Sequence, residues 1–243
     1  MPERSSPRYA RSMQGVEVQI PRAGGPSTAA YAAVPDRAKR GVVVIHEIFG
    51  RQPEIDRVVD RFAAAGYAAV GPDLFAGSFK PVCIRRALST IASGEGPIAA
   101  RIDEARRWLC AEAKLDEPRV GVIGFCIGGG LALAVGRQFG AVSSNYGDVP
   151  PEPVLRGSPP IIGCYGGRDR VFRRSPGQLR ERVAAVGGEA EIHVFDGVGH
   201  SFLTDGDHPV AAALSWPLFQ IRYDAKVADG GWQTIMAFFD RTL

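Results

Sequence analysis

What the sequence lacks narrows its function before any motif is read. No apolar run reaches the ~20 residues that a membrane-spanning helix needs, so no membrane partner is expected. The opening stretch, MPERSSPRYARSMQG, has no apolar core of the kind a secretory signal carries. Cysteine is scarce. Cys83, Cys110, Cys126 and Cys164 stand far apart, in neither metal-ligand nor disulfide spacing, which fits a reducing compartment and a cytoplasmic protein. Glycine is plentiful, yet no glycines fall in the dinucleotide pattern G-x-G-x-x-G, and there is no G-x-x-x-x-G-K-[ST] phosphate loop. His46-Glu47 begins the zinc pattern H-E-x-x-H, but Gly50 stands where the second histidine belongs, so no metal is expected. Charge of one sign is also missing. The net charge is only +3, and Arg4, Arg8, Arg11 and the Arg37/Lys39/Arg40 cluster are not interleaved with aromatics, so nucleic acid is not expected as a partner.

What is present reads as one enzyme-sized unit. The 243 residues are 45% hydrophobic, enough for one sizeable core. Residues 1–12 read as a flexible polar tail and 13–243 as a single domain. Val16 to Ile20 alternates apolar and polar, and Ala29 to Val34 follows after a Gly/Pro turn, which predicts an N-terminal antiparallel hairpin. Gly41 to Ile45 is a continuous β-branched run, the mark of a strand buried on both faces of a parallel sheet. Further strands are expected at Tyr67–Val70, Val120–Ile123, Ala141–Asn145, Pro159–Tyr165 and Ala190–Phe195. Helical spacing appears at Pro53–Ala65, in about three turns from Ile98 to Leu109, at Pro176–Val186 and at Trp232–Leu243. Residues 76–96 hold a short helix, and 203–229 read as loop. Strands alternate with helices, so the class is α/β with a mostly parallel central sheet flanked by helices.

The chain is organised around Arg119 to Leu133, RVGVIGFCIGGGLAL. A short apolar run leads into Gly124-Phe125-Cys126-Ile127-Gly128, and a Leu/Ala run suited to a helix follows. Strand, glycine-flanked turn and helix are the context of a nucleophile elbow, here with a thiol. The turn strains the nucleophile's backbone, so its neighbours must be small. The sulfur then sits at a helix N-terminus, where unpaired N–H groups and the helix dipole favour thiolate. The Ile127 N–H would face the oxyanion of an attacked carbonyl.

Two more candidates follow at strand ends: Asp169 in Gly166-Gly167-Arg168-Asp169 and His200 in Gly197-Val198-Gly199-His200. The order Cys126, Asp169, His200 is the nucleophile–acid–base order of the α/β-hydrolase fold. His200 would take the thiol proton and return it to the leaving group. Asp169 would fix the imidazole tautomer and stabilise its charged form.

With these residues in place, the chain resembles the dienelactone hydrolase family of α/β-hydrolases. The resemblance runs from about Val16 to Leu243. It rests on His46-Glu47-Ile48-Phe49-Gly50, Gly71-Pro72-Asp73-Leu74-Phe75, the Cys126 elbow, Tyr146-Gly147, Gly166-Gly167-Arg168-Asp169, Gly199-His200-Ser201-Phe202 and the final Trp232 to Phe239 segment. It implies an α/β-hydrolase fold, a Cys126–His200–Asp169 triad, an oxyanion hole from the Ile127 and Ile48 N–H groups, and a small-molecule ester or lactone substrate with no cofactor. It also implies that Glu47 stands beside the thiol and governs its protonation before substrate arrives. Tyr146 and Phe202 are expected to contact substrate. Two departures bear on specificity. The family holds a substrate carboxylate with arginines, one of them four residues after the catalytic histidine, where this chain has Thr204. The other belongs to the segment after the Asp73 motif, where Arg85 or Arg86 is expected to substitute. Two other readings stay open: a non-catalytic module that binds a small ligand or partner, and a redox thiol with Cys164 as resolving partner. Monomer and homodimer are both open.

Overall fold

The computed structural model describes residues 14–75, 80–205, 220 and 223–243. The expected tail at 1–12 and much of the expected 203–229 loop lie outside them. The described chain forms an eight-stranded sheet in the order β1-β2-β4-β3-β5-β6-β7-β8. The strands are β1 (Val16–Ile20), β2 (Thr28–Ala33), β3 (Gly41–Ile45), β4 (Ala68–Pro72), β5 (Val120–Phe125), β6 (Val142–Asn145), β7 (Ile161–Gly166) and β8 (Ala190–Phe195). β1 and β2 form the expected hairpin, and β2 runs antiparallel to β4. The pairings from β4 through β8 are parallel.

The β-branched run of β3 explains the layering. Val42 and Val44 face one core, with α1 (Pro53–Ala64) and the C-terminal helix; Val43 and Ile45 face the other, with α2 (Lys80–Ser93), α3 (Pro97–Ala113) and α4 (Ile127–Val135). Alternation along a strand thus feeds two helix layers. The second layer continues through α6 (Ser175–Ala185), after the single turn of α5 (Glu152–Leu155). All nine residues of α4 are buried, as an all-apolar helix requires.

Three elements are longer than the sequence suggested. The short helix of the 76–96 region is the fourteen-residue α2, and the expected three turns after Ile98 are the seventeen-residue α3. The C-terminal helix, α7 (Ala225–Thr242), starts seven residues before Trp232. Asp224 caps it by accepting from the Lys226 and Val227 N–H groups at 3.1 and 3.2 Å. Within it, Gly231 is a packing site, since a Cβ there would lie 2.6 Å from the Leu203 side chain.

The chain leaves β3 toward β4 on one side of the sheet, while β5 lies on β3's other side. The carboxyl ends of β3 and β5 therefore flank a topological switch point, where open α/β sheets bind ligands.

Candidate active site

Between the last residue of β5 and the first of α4 stands one residue, Cys126, with φ 55° and ψ −120°. A non-glycine residue holds that conformation only where its surroundings enforce it. They do so by contact: a Cβ on Gly124 would lie 1.9 Å from the Gly128 carbonyl oxygen, and one on Gly128 would lie 2.6 Å from the carbonyl oxygens of Ile45 and His46. The elbow is pressed onto the end of β3. From the other side, the Cys126 N–H donates to the Asn145 carbonyl at 3.0 Å, and the Asn145 side chain donates to the Gly124 carbonyl at 3.0 Å. The Cys126 side chain remains partly accessible. Among the described residues, neither the Ile127 N–H at the start of α4 nor the Ile48 N–H beyond β3 donates a hydrogen bond.

His200 and Asp169 meet across 31 positions, with Nδ1 of the imidazole 2.6 Å from Oδ2 of the carboxylate. The other carboxylate oxygen accepts from the Val171 and Phe172 N–H groups at 3.0 and 3.1 Å. Both side chains are buried, at 2% and 3% exposure for Asp169 and His200. Phe172 stacks on the imidazole at 5.2 Å between ring centres, and Tyr146 meets it edge-on at 4.9 Å. Burial pushes the His200 pKa down, but the neighbouring Cys126 sulfur and the hydrogen bond to Asp169 outweigh it and raise the pKa to about 10.

Glu47 follows β3 and His46. Its Oε1 is met by three hydroxyls: Tyr146 at 3.3 Å, Ser201 at 3.2 Å and Thr204 at 3.2 Å. Tyr146 and Thr204 also touch each other at 3.1 Å. Each hydroxyl has one proton, so either both donate to Glu47 or one donates to the other. Tyr146 and Ser201 hold positive φ values of 43° and 56°, like Cys126. Burial, and then the neighbouring Glu47 carboxylate, push the Tyr146 phenol well above its usual range. His46 is a clamp. Its Nε2 accepts from the Leu74 N–H at 3.1 Å and its Nδ1 bonds the Glu47 carbonyl at 2.7 Å, which fixes a neutral ring. Burial lowers its pKa in the same direction. With both nitrogens engaged it is no metal ligand, and among the described residues no group of three His, Cys, Asp or Glu side chains fits a metal.

Direct contacts thus join Asp169, His200, Tyr146 and Glu47, while Cys126, Ile127 and Ile48 stand just beyond the carboxyl ends of β5 and β3. Other expectations land elsewhere. Phe202 is fully buried, packed 5.9 Å from the Tyr146 ring and 5.0 Å from Phe195, so it supports the site from behind. Arg85 and Arg86 are exposed on α2 and make no hydrogen bond or ion pair among the described residues. The Cys164 thiol is buried, burial pushes its pKa up, and all four cysteines are unpaired. Ser201, Phe172 and Asn145 went unread in the sequence; for Ser201 the only signal was its place beside His200.

Comparison with known proteins adds independent findings. Residues 28–243 match the model of the dienelactone hydrolase family. The carboxymethylenebutenolidase of Rhodococcus opacus is 28% identical over 227 residues, which cover 83% of this chain and 81% of that one. Among solved structures, a dienelactone hydrolase from Anabaena variabilis aligns with a TM-score of 0.62 at 20% identity, over 87% of this chain and 100% of the other. A dienelactone hydrolase-like promiscuous phosphotriesterase from metagenomic libraries aligns with a TM-score of 0.77 at 19% identity, over 96% of this chain and 99% of that one. At those identities the two structures speak to the fold. No described helix is long and apolar enough to cross a membrane.

Proposed function

Because the chain belongs to the dienelactone hydrolase family, and so to hydrolases acting on ester and lactone bonds, we propose that it cleaves a small ester or lactone through a Cys126–His200–Asp169 triad and an acyl-thioester. The observation that carries this reading is the strained Cys126 on its elbow, next to an imidazole whose far nitrogen is locked to a buried carboxylate.

The triad's roles order the steps. His200 takes the Cys126 proton as the sulfur attacks the carbonyl carbon. The oxyanion takes the two unused N–H groups of Ile48 and Ile127. His200 gives its proton to the leaving oxygen as the carbonyl–oxygen bond breaks. Acylation turns the sulfur into a neutral thioester and removes the charge that held the imidazole's proton. Burial then favours neutral His200, which accepts a proton from water as that water attacks the thioester. The acid product leaves as the sulfur is expelled, and His200 returns the proton to it. Asp169 keeps Nδ1 bonded throughout, so Nε2 is the atom that exchanges the proton.

Glu47 is assigned the gate. A carboxylate beside the sulfur disfavours thiolate until substrate intervenes. The unpaired cysteines fit a reducing cytoplasm.

The test is hydrolysis of a short p-nitrophenyl ester and of a dienelactone, side by side, by wild type and Cys126→Ala. The expected result is ester hydrolysis by wild type and a loss of about 10⁴-fold or more in the variant. Full esterase activity in Cys126→Ala would sink the mechanism. Turnover of neither compound by wild type would favour a ligand-binding module.

A further inference from the structure

Charge is unevenly spread along this chain. From Gly166 to Arg182 there are six arginines and two carboxylates, a net +4, so the rest of the chain is net −1. One of the two carboxylates, Asp169, is buried and already takes two backbone N–H groups and the imidazole. It is not available to neutralise the arginines on either side of it. Arg182 has a structural partner, donating to the Val149 and Pro150 carbonyls at 2.6 and 3.1 Å. Arg168, Arg173 and Arg174 are exposed, and their guanidinium groups make no hydrogen bond or ion pair among the described residues.

The placement is electrostatically the reverse of the usual one. Arg174 is the N-cap residue of α6, whose first turn holds no acidic side chain. Helix N-termini attract negative charge, and cations there are unfavourable. Around this helix start, Arg168, Arg173 and Arg174 leave positive charge that no described side chain pairs with.

The same loop is part of the catalytic constellation. It carries Asp169, and Phe172 between the arginines stacks on His200 at 5.2 Å. His200 is the group that hands a proton to the leaving oxygen, so the leaving group departs on this side. We propose that the arginine loop is a subsite for a phosphate carried by the leaving-group half of the substrate. A phosphate dianion offers three acceptor oxygens, and guanidinium forks match that geometry better than they match a single charge. The proposal rests on the triad reading for which half of the substrate lies here; the anion site itself does not.

Two aryl acetates that differ only in charge give the test. 4-Acetoxyphenyl phosphate and 4-methoxyphenyl acetate share the scissile bond and the ring. Wild type is expected to favour the phosphate by about tenfold or more in kcat/KM at low salt, mainly through KM, with the preference collapsing at high ionic strength. The double variant Arg173→Gln/Arg174→Gln is expected to lose the preference and keep its rate on the neutral ester. Equal kcat/KM on both esters in wild type, or a preference that survives in the variant, overturns the subsite. Calorimetric titration with inorganic phosphate reads the site without turnover. About tenfold weaker binding to the variant supports the proposal even if neither ester is cleaved, an outcome that would count against the triad reading alone. Equal binding to both proteins, or none to wild type, overturns it.

Discussion

Two carboxylates belong to the candidate site, and they are held in different ways. Asp169 is buried, bonded to two main-chain N–H groups and to His200 at 2.6 Å. Glu47 is partly exposed, and its one bonded oxygen meets only side-chain hydroxyls, at 3.2–3.3 Å. Main-chain donors cannot rotate away without unfolding the loop, whereas hydroxyls turn about a single bond. In the proposed mechanism the first carboxylate orients and the second is released. That contrast is what the proposed gate requires beside the proposed triad, and each prediction below presses on one half of it.

The largest effect is expected at the fixed half. Asp169→Asn keeps the shape but reverses the donor and acceptor toward Nδ1, and an imidazole in the wrong tautomer cannot pass the proton. A loss of about 10³–10⁴-fold in kcat is expected, measured on a p-nitrophenyl ester. A loss under tenfold would show that Asp169 only packs. The pH dependence gives a second reading. His200 has its folded pKa raised above 6.5 to about 10, so its stabilising contribution is complete below 6.5 and disappears as the pH rises through about 10. Wild type should therefore lose unfolding stability between neutral pH and pH 10. Asp169→Asn should lose less over the same window, because one of the interactions that raise the pKa is gone. Denaturant midpoints at the two pH values decide it.

The releasable half should respond more mildly. Glu47→Gln keeps an oxygen for the three hydroxyls and removes the charge beside the sulfur. The expected fall in kcat/KM is about tenfold, with the acid limb of its pH profile moved to lower pH, because a neutral amide does not disfavour thiolate. A fall as large as that of Asp169→Asn would erase the contrast and make Glu47 part of the catalytic core. An unmoved profile would make it a structural acceptor.

The same division explains how much was legible in the sequence. The elbow at Cys126 was readable because its demand is local: a strained residue needs small neighbours at fixed spacing, and Gly124 and Gly128 supply them within a carbonyl's width of other backbone. β3 was readable because burial on both faces requires a continuous apolar run. Asp169 and His200 were readable from strand ends and chain order. The Glu47 hydroxyls were not, as a set. Tyr146, Ser201 and Thr204 lie 99, 154 and 157 positions from Glu47, and the parallel pairings from β3 through β5, β6 and β7 to β8 bring their loops to one edge of the sheet. No local pattern encodes a contact of that kind. Arg85 and Arg86 stand out in the sequence by residue type alone; in the structure they are exposed on α2. The start of α7 was missed because Gly230-Gly231 breaks the helical pattern that burial against Leu203 restores.

The smallest effect, and the sharpest test of the contrast, is at Thr204. Thr204→Val preserves the shape and deletes one hydroxyl. Tyr146 and Ser201 still reach Oε1, so Glu47 keeps two of its three donors. Tyr146 loses a hydrogen-bond partner in a fully buried setting, which costs about 1 kcal/mol of stability. If the hydroxyls hold Glu47 loosely, a weaker hold should make release easier: KM changes little, and kcat/KM moves by about two- to fivefold at most, in either direction. A loss of about 100-fold in kcat would mean that Glu47 must be held as rigidly as Asp169, and the distinction between a fixed and a releasable carboxylate would fall.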